Sequence, residues 1–340
     1  MKGLGKKLVA LAAVATLAMT ALTGCAESSL DNTETVAVVD DTKITAGVAN
    51  FYLRYQQVAV ESIYKQMVGE DLWITQIDEN DTYEDLVKDD AMESLIELYI
   101  LKARMAEYDV TLTEEDNAAI DAAADAFVKA NSEEALTKIS GEKDIIKEVM
   151  ELITISEKMH DVIEADADRE VTDEEARLKK MTYVQIKTTA TSDDGTTINM
   201  SDEEIADAKK EAEEILANAK AAGDLLAYSE TTDHKGTELA FNAESTAIAE
   251  EAIKAADALK EGEFAELVEA EDGFYVIQVT SLLDREATDA KKTEILQAEK
   301  DELYTKVYEA WREEAEVEIK EKVLDKISFQ RLEITIPAEG

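Results

Sequence analysis

Gly273-Phe274-Tyr275-Val276-Ile277-Gln278-Val279 is the stretch on which the reading of this chain turns. Apart from Gln278 it is aromatic and β-branched, and it is entered through a glycine, which reads as a strand. Upstream, Met181-Thr182-Tyr183-Val184-Gln185-Ile186-Lys187 alternates like a second strand, and an Asp193-Asp194-Gly195 turn comes after it. Ser201-Asp202-Glu203-Glu204 has the form of a capping box that opens a helix running to about Ala222, with Gly223 as its stop. Residues between about 179 and 284 therefore form an α+β block.

On both sides of this block the pattern is helical. Val36-Ala37-Val38-Val39, the Asp40-Asp41 turn and Lys43-Ile44-Thr45 read as a strand or hairpin edge, and Thr45 can cap the next helix. From Val48 on, Phe51, Tyr52, Tyr55, Val58, Ala59, Ser62 and Ile63 recur at three-to-four spacing, which predicts an amphipathic helix. Further helical periods cover 85–108, 113–129, 132–139 and 142–165, and Thr113 with Asp116 opens the second of these as a capping box. After the block, Thr288 to about Lys326 reads as one long helix rich in Ala, Glu, Lys and Leu. The alternation from Phe329 to Pro337 then sets Leu332, Ile334 and Ile336 on one face of a terminal strand. Such a strand must pair with something, and Val36–Val39 is the expected partner. The two ends of the chain would then meet, and the α+β block would be an insertion.

The first 25 residues read as an address. Lys2, Lys6 and Lys7 precede an apolar run from Leu8 to Leu22, too short for the ~20 residues of a membrane span and ending in small residues. Leu22-Thr23-Gly24-Cys25 resembles the bacterial lipobox, in which the cysteine receives a diacylglycerol and becomes the mature N-terminus. Cys25 is the only cysteine of the chain, which excludes an internal disulfide framework and any CxxC centre. The expected organisation is a signal peptide at 1–24, a tether at 25–35, a helical domain at 36–178, the inserted domain at 179–284, and a closing helix and strand at 285–340. The expected localisation is lipid-anchored, on the outer face of the cell membrane.

Composition narrows the function classes. Of 340 residues, 78 are acidic and 35 basic, a net charge of −43, which excludes tracking of a nucleic-acid backbone. A single proline leaves long helices as the default, and 45% apolar residues suffice for a core. Two histidines, His160 and His234, starve most histidine-based catalysis and metal ligation. His160 reads as a residue near a helix C-terminus and His234 as a loop residue. Asp166-Ala167-Asp168 and Asp193-Asp194-Gly195 lack the spacing of a calcium loop. No metal and no cofactor is expected.

The opening strand, turn and Lys43-Ile44-Thr45 behind a lipoprotein signal resemble the start of the PrsA/SurA group of extracytoplasmic foldases. Leu259-Lys260-Glu261-Gly262-Glu263 with Gly273–Val279 is similar to the end of a parvulin-type peptidyl-prolyl isomerase domain, and Gly223 to Ser229 resembles the segment after its first helix. The resemblance implies an α+β chain: a helical chaperone domain of N-terminal helices completed by the C-terminal helix and strand, with a parvulin-like domain inserted. It implies catalysis of X-Pro isomerisation and folding assistance to unfolded secreted proteins, these being the expected partners beside the membrane, with a homodimer left open.

At the catalytic positions the chain departs from that family. The two histidines of the parvulin site fall on Tyr183 and Tyr275, and the acidic residue of its glycine-rich loop falls loosely on Glu238. Counting back from Gly262, the methionine of the proline pocket falls on Ile248 and its phenylalanines on Ala252 and Asp257. Tyrosine, with a pKa near 10, can donate a hydrogen bond but cannot switch near neutrality as histidine does. A parvulin fold retained for binding or spacing is therefore expected, against an isomerase rebuilt around Tyr183, Tyr275 and Glu238, or a helical scaffold without clients. Aromatic and methionine residues concentrate in the N-terminal arm. Most of them should be core at helical spacing; Tyr52, Tyr55, Met67 and Trp73 are the candidates to contact clients, because such side chains make adaptable apolar contacts.

Overall fold

The computed structural model describes residues 18–21, 30–69, 71–79, 81–191 and 197–335. Cys25, Asp193–Gly195, Ile336 and Pro337 lie outside them. The chain is α+β with antiparallel sheets and divides into two compact units, residues 1–167 with 300–340, and residues 168–299.

In the first unit, a short strand β1 (Ala18–Ala21) is followed by the hairpin β2 (Thr35–Val39) and β3 (Thr42–Thr45). Five helices come next: α1 (Ala46–Val68), α2 (Tyr83–Arg104), α3 (Glu114–Ala130), α4 (Glu133–Lys138) and α5 (Lys143–Ala165). Local chemistry sets their starts. The Thr45 hydroxyl accepts from the Val48 N–H at 3.3 Å, and Thr82 with Asp85 and Thr113 with Asp116 close reciprocal capping boxes on α2 and α3. Leu95, Ile96, Leu101, Ile120, Ile146, Met150, Leu152 and Met159, all fully buried, knit these helices together. Each such side chain contributes about 1.5–3 kcal/mol on leaving water.

In the second unit, α6 (Asp173–Ala176) leads into β4 (Lys179–Lys187). The small ribbon β5 (Thr189–Thr191) and β6 (Thr197–Asn199) is next, then α7 (Asp202–Ala222) and α8 (Leu225–Ser229). After these come β7 (Thr237–Phe241), α9 (Glu250–Asp257), β8 (Val268–Ala270) and β9 (Gly273–Ser281). The sheet order is β7-β4-β9-β8, antiparallel throughout. α7 covers one face through Ala208, Ala212, Ile215 and Ala219, against Val184, Ile186, Phe274 and Val276. α9 covers the other through Ala252, Ile253 and Ala256, against Met181, Phe241, Tyr275 and Ile277. β9 is buried on both faces from Gly273 to Val279, which is why that segment runs apolar without alternation.

The long helix α10 (Arg285–Glu314) spans the division between the units and ends earlier than the sequence suggests. Instead of continuing to Lys326, the chain forms β10 (Val317–Ile319), α11 (Glu321–Leu324) and, after a turn at Phe329, β11 (Leu332–Thr335). The expected pairing is corrected accordingly. The partner of β2 is β10, with Val317 opposite Val39 and Ile319 opposite Ala37, whereas β11 pairs antiparallel with β1. β10 is only three residues long and is flanked by helix formers, so its strand character comes from the β2 edge rather than from local propensity.

Candidate functional site

The β4–β9 register decides which of the expected site residues meet. Gln185 stands opposite Tyr275, and Tyr183 stands opposite Ile277, two positions along the same face. The two tyrosine rings lie 6.0 Å apart, tilted by 40°. Glu238 is not with them. It stands opposite Thr182, so the pleat sends it to the other face of the sheet, where it pairs with Lys180 at 2.8 Å.

The carboxylate beside the tyrosines is instead Asp272, in the turn before β9. The Tyr275 hydroxyl donates to Asp272 Oδ2 at 2.7 Å and accepts from Gln185 Nε2 at 2.9 Å, and Gln185 Nε2 also donates to Asp272 Oδ2 at 2.8 Å. Tyr275 is 1% exposed. Burial pushes its phenol far above the ordinary range, and the hydrogen bond to Asp272 and the charge of that carboxylate push the same way. Asp272 Oδ1 is buried with no hydrogen-bond partner among the described residues. Sequence reasoning passed over Asp272 and Gln185. The signal was present in the Glu271-Asp272-Gly273 turn, which puts a carboxylate three residues before Tyr275.

Gly273 makes this closeness possible. Its φ is +149°, and a Cβ there would stand 2.3 Å from the Ile186 carbonyl oxygen. On the wall expected to form a proline pocket, Ala252 is fully buried and Ile248 half-buried. Asp257 is held at its carboxylate and its carbonyl by Lys179 Nζ, at 2.8 and 2.6 Å. A small methyl and an ion pair thus stand at the two positions that the resemblance led one to compare with phenylalanines.

The client-contact residues separate into two groups. Tyr52 (6% exposed) and Trp73 (7%) are core residues, as helical spacing predicts for most of this set, which corrects their candidacy as client contacts. Trp73 donates its indole N–H to Glu61 at 2.9 Å and packs edge-on against Phe329, ring centres 4.9 Å apart. Tyr55 is half-buried. Met67 is 79% exposed and has company. Ile63, Tyr64 and Val68 on the last turns of α1, Ile74 and Ile77 in the following turn, and Leu86 on α2 are also exposed. Tyr64 and Trp73 both pack on Tyr83, at 6.3 and 6.0 Å, which ties the end of α1 to that turn and to α2. Ile63, the last residue of the amphipathic period read from the sequence, is 61% exposed.

The histidines serve packing. His160 stacks on Tyr304 at 3.5 Å and faces Glu164, and His234 faces Glu211 at 3.0 Å. Among the described residues no group of three or more His, Cys, Asp or Glu side chains is placed to hold a metal, and no helix is long and apolar enough to cross a membrane.

Residues 190–294 match the family of the PPIC-type PPIASE domain, a span that includes Tyr275 and Glu238 and begins after Tyr183. Solved structures are similar over most of the chain. A SurA-like chaperone of Campylobacter jejuni is 11% identical, with 84% of this chain and 98% of that one covered and a TM-score of 0.31. The foldase PrsA of Streptococcus pneumoniae is 18% identical (75% and 98% covered, TM-score 0.29), and PrsA of Bacillus cereus 14% identical (88% and 98% covered, TM-score 0.30). No curated protein matches the chain. The parvulin-like part of the resemblance, read from Leu259–Glu263 and Gly273–Val279, agrees with the PPIC-type match over residues 190–294.

Proposed function

We propose that this chain is an extracytoplasmic chaperone of the foldase type, tethered through a lipid on Cys25, which holds unfolded secreted polypeptides on its helical unit while its parvulin-like domain binds or spaces rather than isomerises. The observation that carries the reading is the run of exposed apolar side chains between residues 63 and 86, namely Ile63, Tyr64, Met67, Val68, Ile74, Ile77 and Leu86. Exposed apolar side chains gathered in one stretch of a strongly acidic chain favour capture of exposed apolar segments, with basic flanks steered in by the charge. Suppressed aggregation of an unfolded secreted protein, at near-stoichiometric amounts of a soluble Cys25→Ser form, is the expected result. Ile63→Glu with Met67→Glu should weaken it at least fivefold with the fold intact by circular dichroism. Equal activity of that variant would refute the patch.

The silent-isomerase part of the proposal rests on Tyr275. A catalytic phenol must offer its proton to the twisting amide, but this one already donates to Asp272 and accepts from Gln185. The competing reading is an isomerase rebuilt around the tyrosine pair, which the 6.0 Å ring separation keeps in play. A protease-coupled assay on an Ala-Pro peptide separates the two. A rate enhancement that disappears in Tyr275→Phe would establish the rebuilt enzyme and remove the binding-only domain.

A further inference from the structure

Between residues 30 and 335 the methionines divide by exposure. Met92, Met150, Met159 and Met181 are at most 1% exposed, Met105 and Met200 are half-buried, and Met67 alone is exposed. Met67 is the last residue but one of α1, and Gly69, with φ +88°, follows the helix end, where helices fray most readily. Its neighbours on the helix are apolar. Ile63 and Met67 stand four residues apart, as do Tyr64 and Val68, and Tyr64 and Met67 stand three apart, so the four share one face of α1. All four are exposed. Cys25 is the only cysteine of the chain, and in the proposed function its sulfur is bound to the lipid. Oxidants in solvent therefore meet the thioether of Met67 first, whereas the buried methionines are reached only when local structure opens.

We infer that Met67 is a reversible oxidation site for small hydroperoxides, and that its sulfoxide form switches off capture at the end of α1; the inference rests on the proposed function. In the step, the sulfur lone pair attacks one oxygen of the peroxide and the O–O bond breaks. The sulfur is oxidised by two electrons to the sulfoxide and the peroxide is reduced. The proton on the transferred oxygen passes to the departing oxygen, which leaves as water from hydrogen peroxide or as an alcohol from an organic peroxide. The product carries a strong S=O dipole that holds water by hydrogen bonds. A flexible apolar side chain thus becomes a polar one that resists burial under a client segment. Sulfoxide reductases reverse the change with electrons from a dithiol, which is oxidised to a disulfide as water is released.

The test exposes the soluble Cys25→Ser form to hydrogen peroxide for increasing times and then removes the oxidant with catalase. Sulfoxide at each methionine is measured by peptide mapping, the fold by circular dichroism, and capture by suppressed aggregation of an unfolded secreted protein. Met67 should gain its oxygen at least tenfold faster than Met92, Met150, Met159 and Met181. Capture should fall about threefold or more with the fold unchanged, its half-time matching that of Met67 oxidation within a factor of two. Methionine sulfoxide reductases with dithiothreitol should restore it. Met67→Leu, compared with its own untreated state, should lose less than 1.5-fold. Oxidation of Met67 that leaves capture intact would overturn the site. So would equal oxidation of the buried methionines, a loss on a different time course, a loss that Met67→Leu shares, or one that the reductases do not reverse. If the untreated protein captures and its Met67 sulfoxide captures equally, only the oxidation site falls; an untreated protein without capture removes the chaperone reading as well.

Discussion

At the scale of single residues, two carboxylates show how position decides role. Asp272 receives the Tyr275 hydroxyl and the Gln185 amide on a buried sheet face. Tyr275→Phe deletes the donor and leaves those two groups short of a partner, so it should cost about 1–3 kcal/mol by chemical denaturation. Asp116 illustrates the electrostatic side. Burial works to raise its pKa, but the ion pair with Lys158 at 2.6 Å and the bonds from Thr113 outweigh it, and the carboxyl titrates below its usual range. A depressed folded-state pKa adds stability that is present above the unfolded pKa of about 3.9 and is lost as pH falls through the folded value. Asp116→Asn should therefore destabilise at pH 7, and the gap to wild type in melting temperature should close as pH is lowered through the acid range. Tyr275 was legible in Gly273–Val279 and Tyr183 in Met181–Lys187, each within its own strand pattern. Glu238 was misjudged because its face depends on the β4–β7 register, which no local pattern reveals.

Elements were legible where their signals are local. The capping boxes at Thr113 and Ser201 and the stop at Gly223, which has φ +79°, lie where their residue spacing puts them. The C-terminal segment was not legible, because the choice of strand partner is a non-local matter. Val317-Glu318-Ile319 reads as helix until the β2 edge is brought to it, while the clearer alternation at Leu332–Thr335 finds β1. Gly273 is the most exacting backbone position in the β-sheet unit. Gly273→Ala should destabilise by at least ~1–3 kcal/mol, since the clash with Ile186 adds to the backbone strain, and hydrogen exchange should speed up along β4 and β9. Phe329→Ala opens a cavity beside Trp73 and should cost about 3–5 kcal/mol in the helical unit, measurable by denaturant titration of Trp fluorescence.

At the scale of the whole molecule, charge and surface apolarity work together. With a net charge of −43 the folded chain repels itself. Raising salt from ~0.01 to ~0.1 M shortens the screening length from ~30 to ~10 Å and should raise the melting temperature. The same salt should weaken capture of basic unfolded chains more than of acidic ones. The patch at the end of α1 carries the central claim, and Met67 reports on it directly because its side chain is 79% exposed whereas Met92 and Met150 are at most 1% exposed. The decisive measurement is the ¹³C-methyl methionine spectrum of the soluble chain, recorded while an unfolded secreted protein is added. The Met67 resonance should shift and broaden with client concentration while those of Met92 and Met150 stay in place. A client that binds and leaves Met67 unmoved would contradict the assignment of the patch.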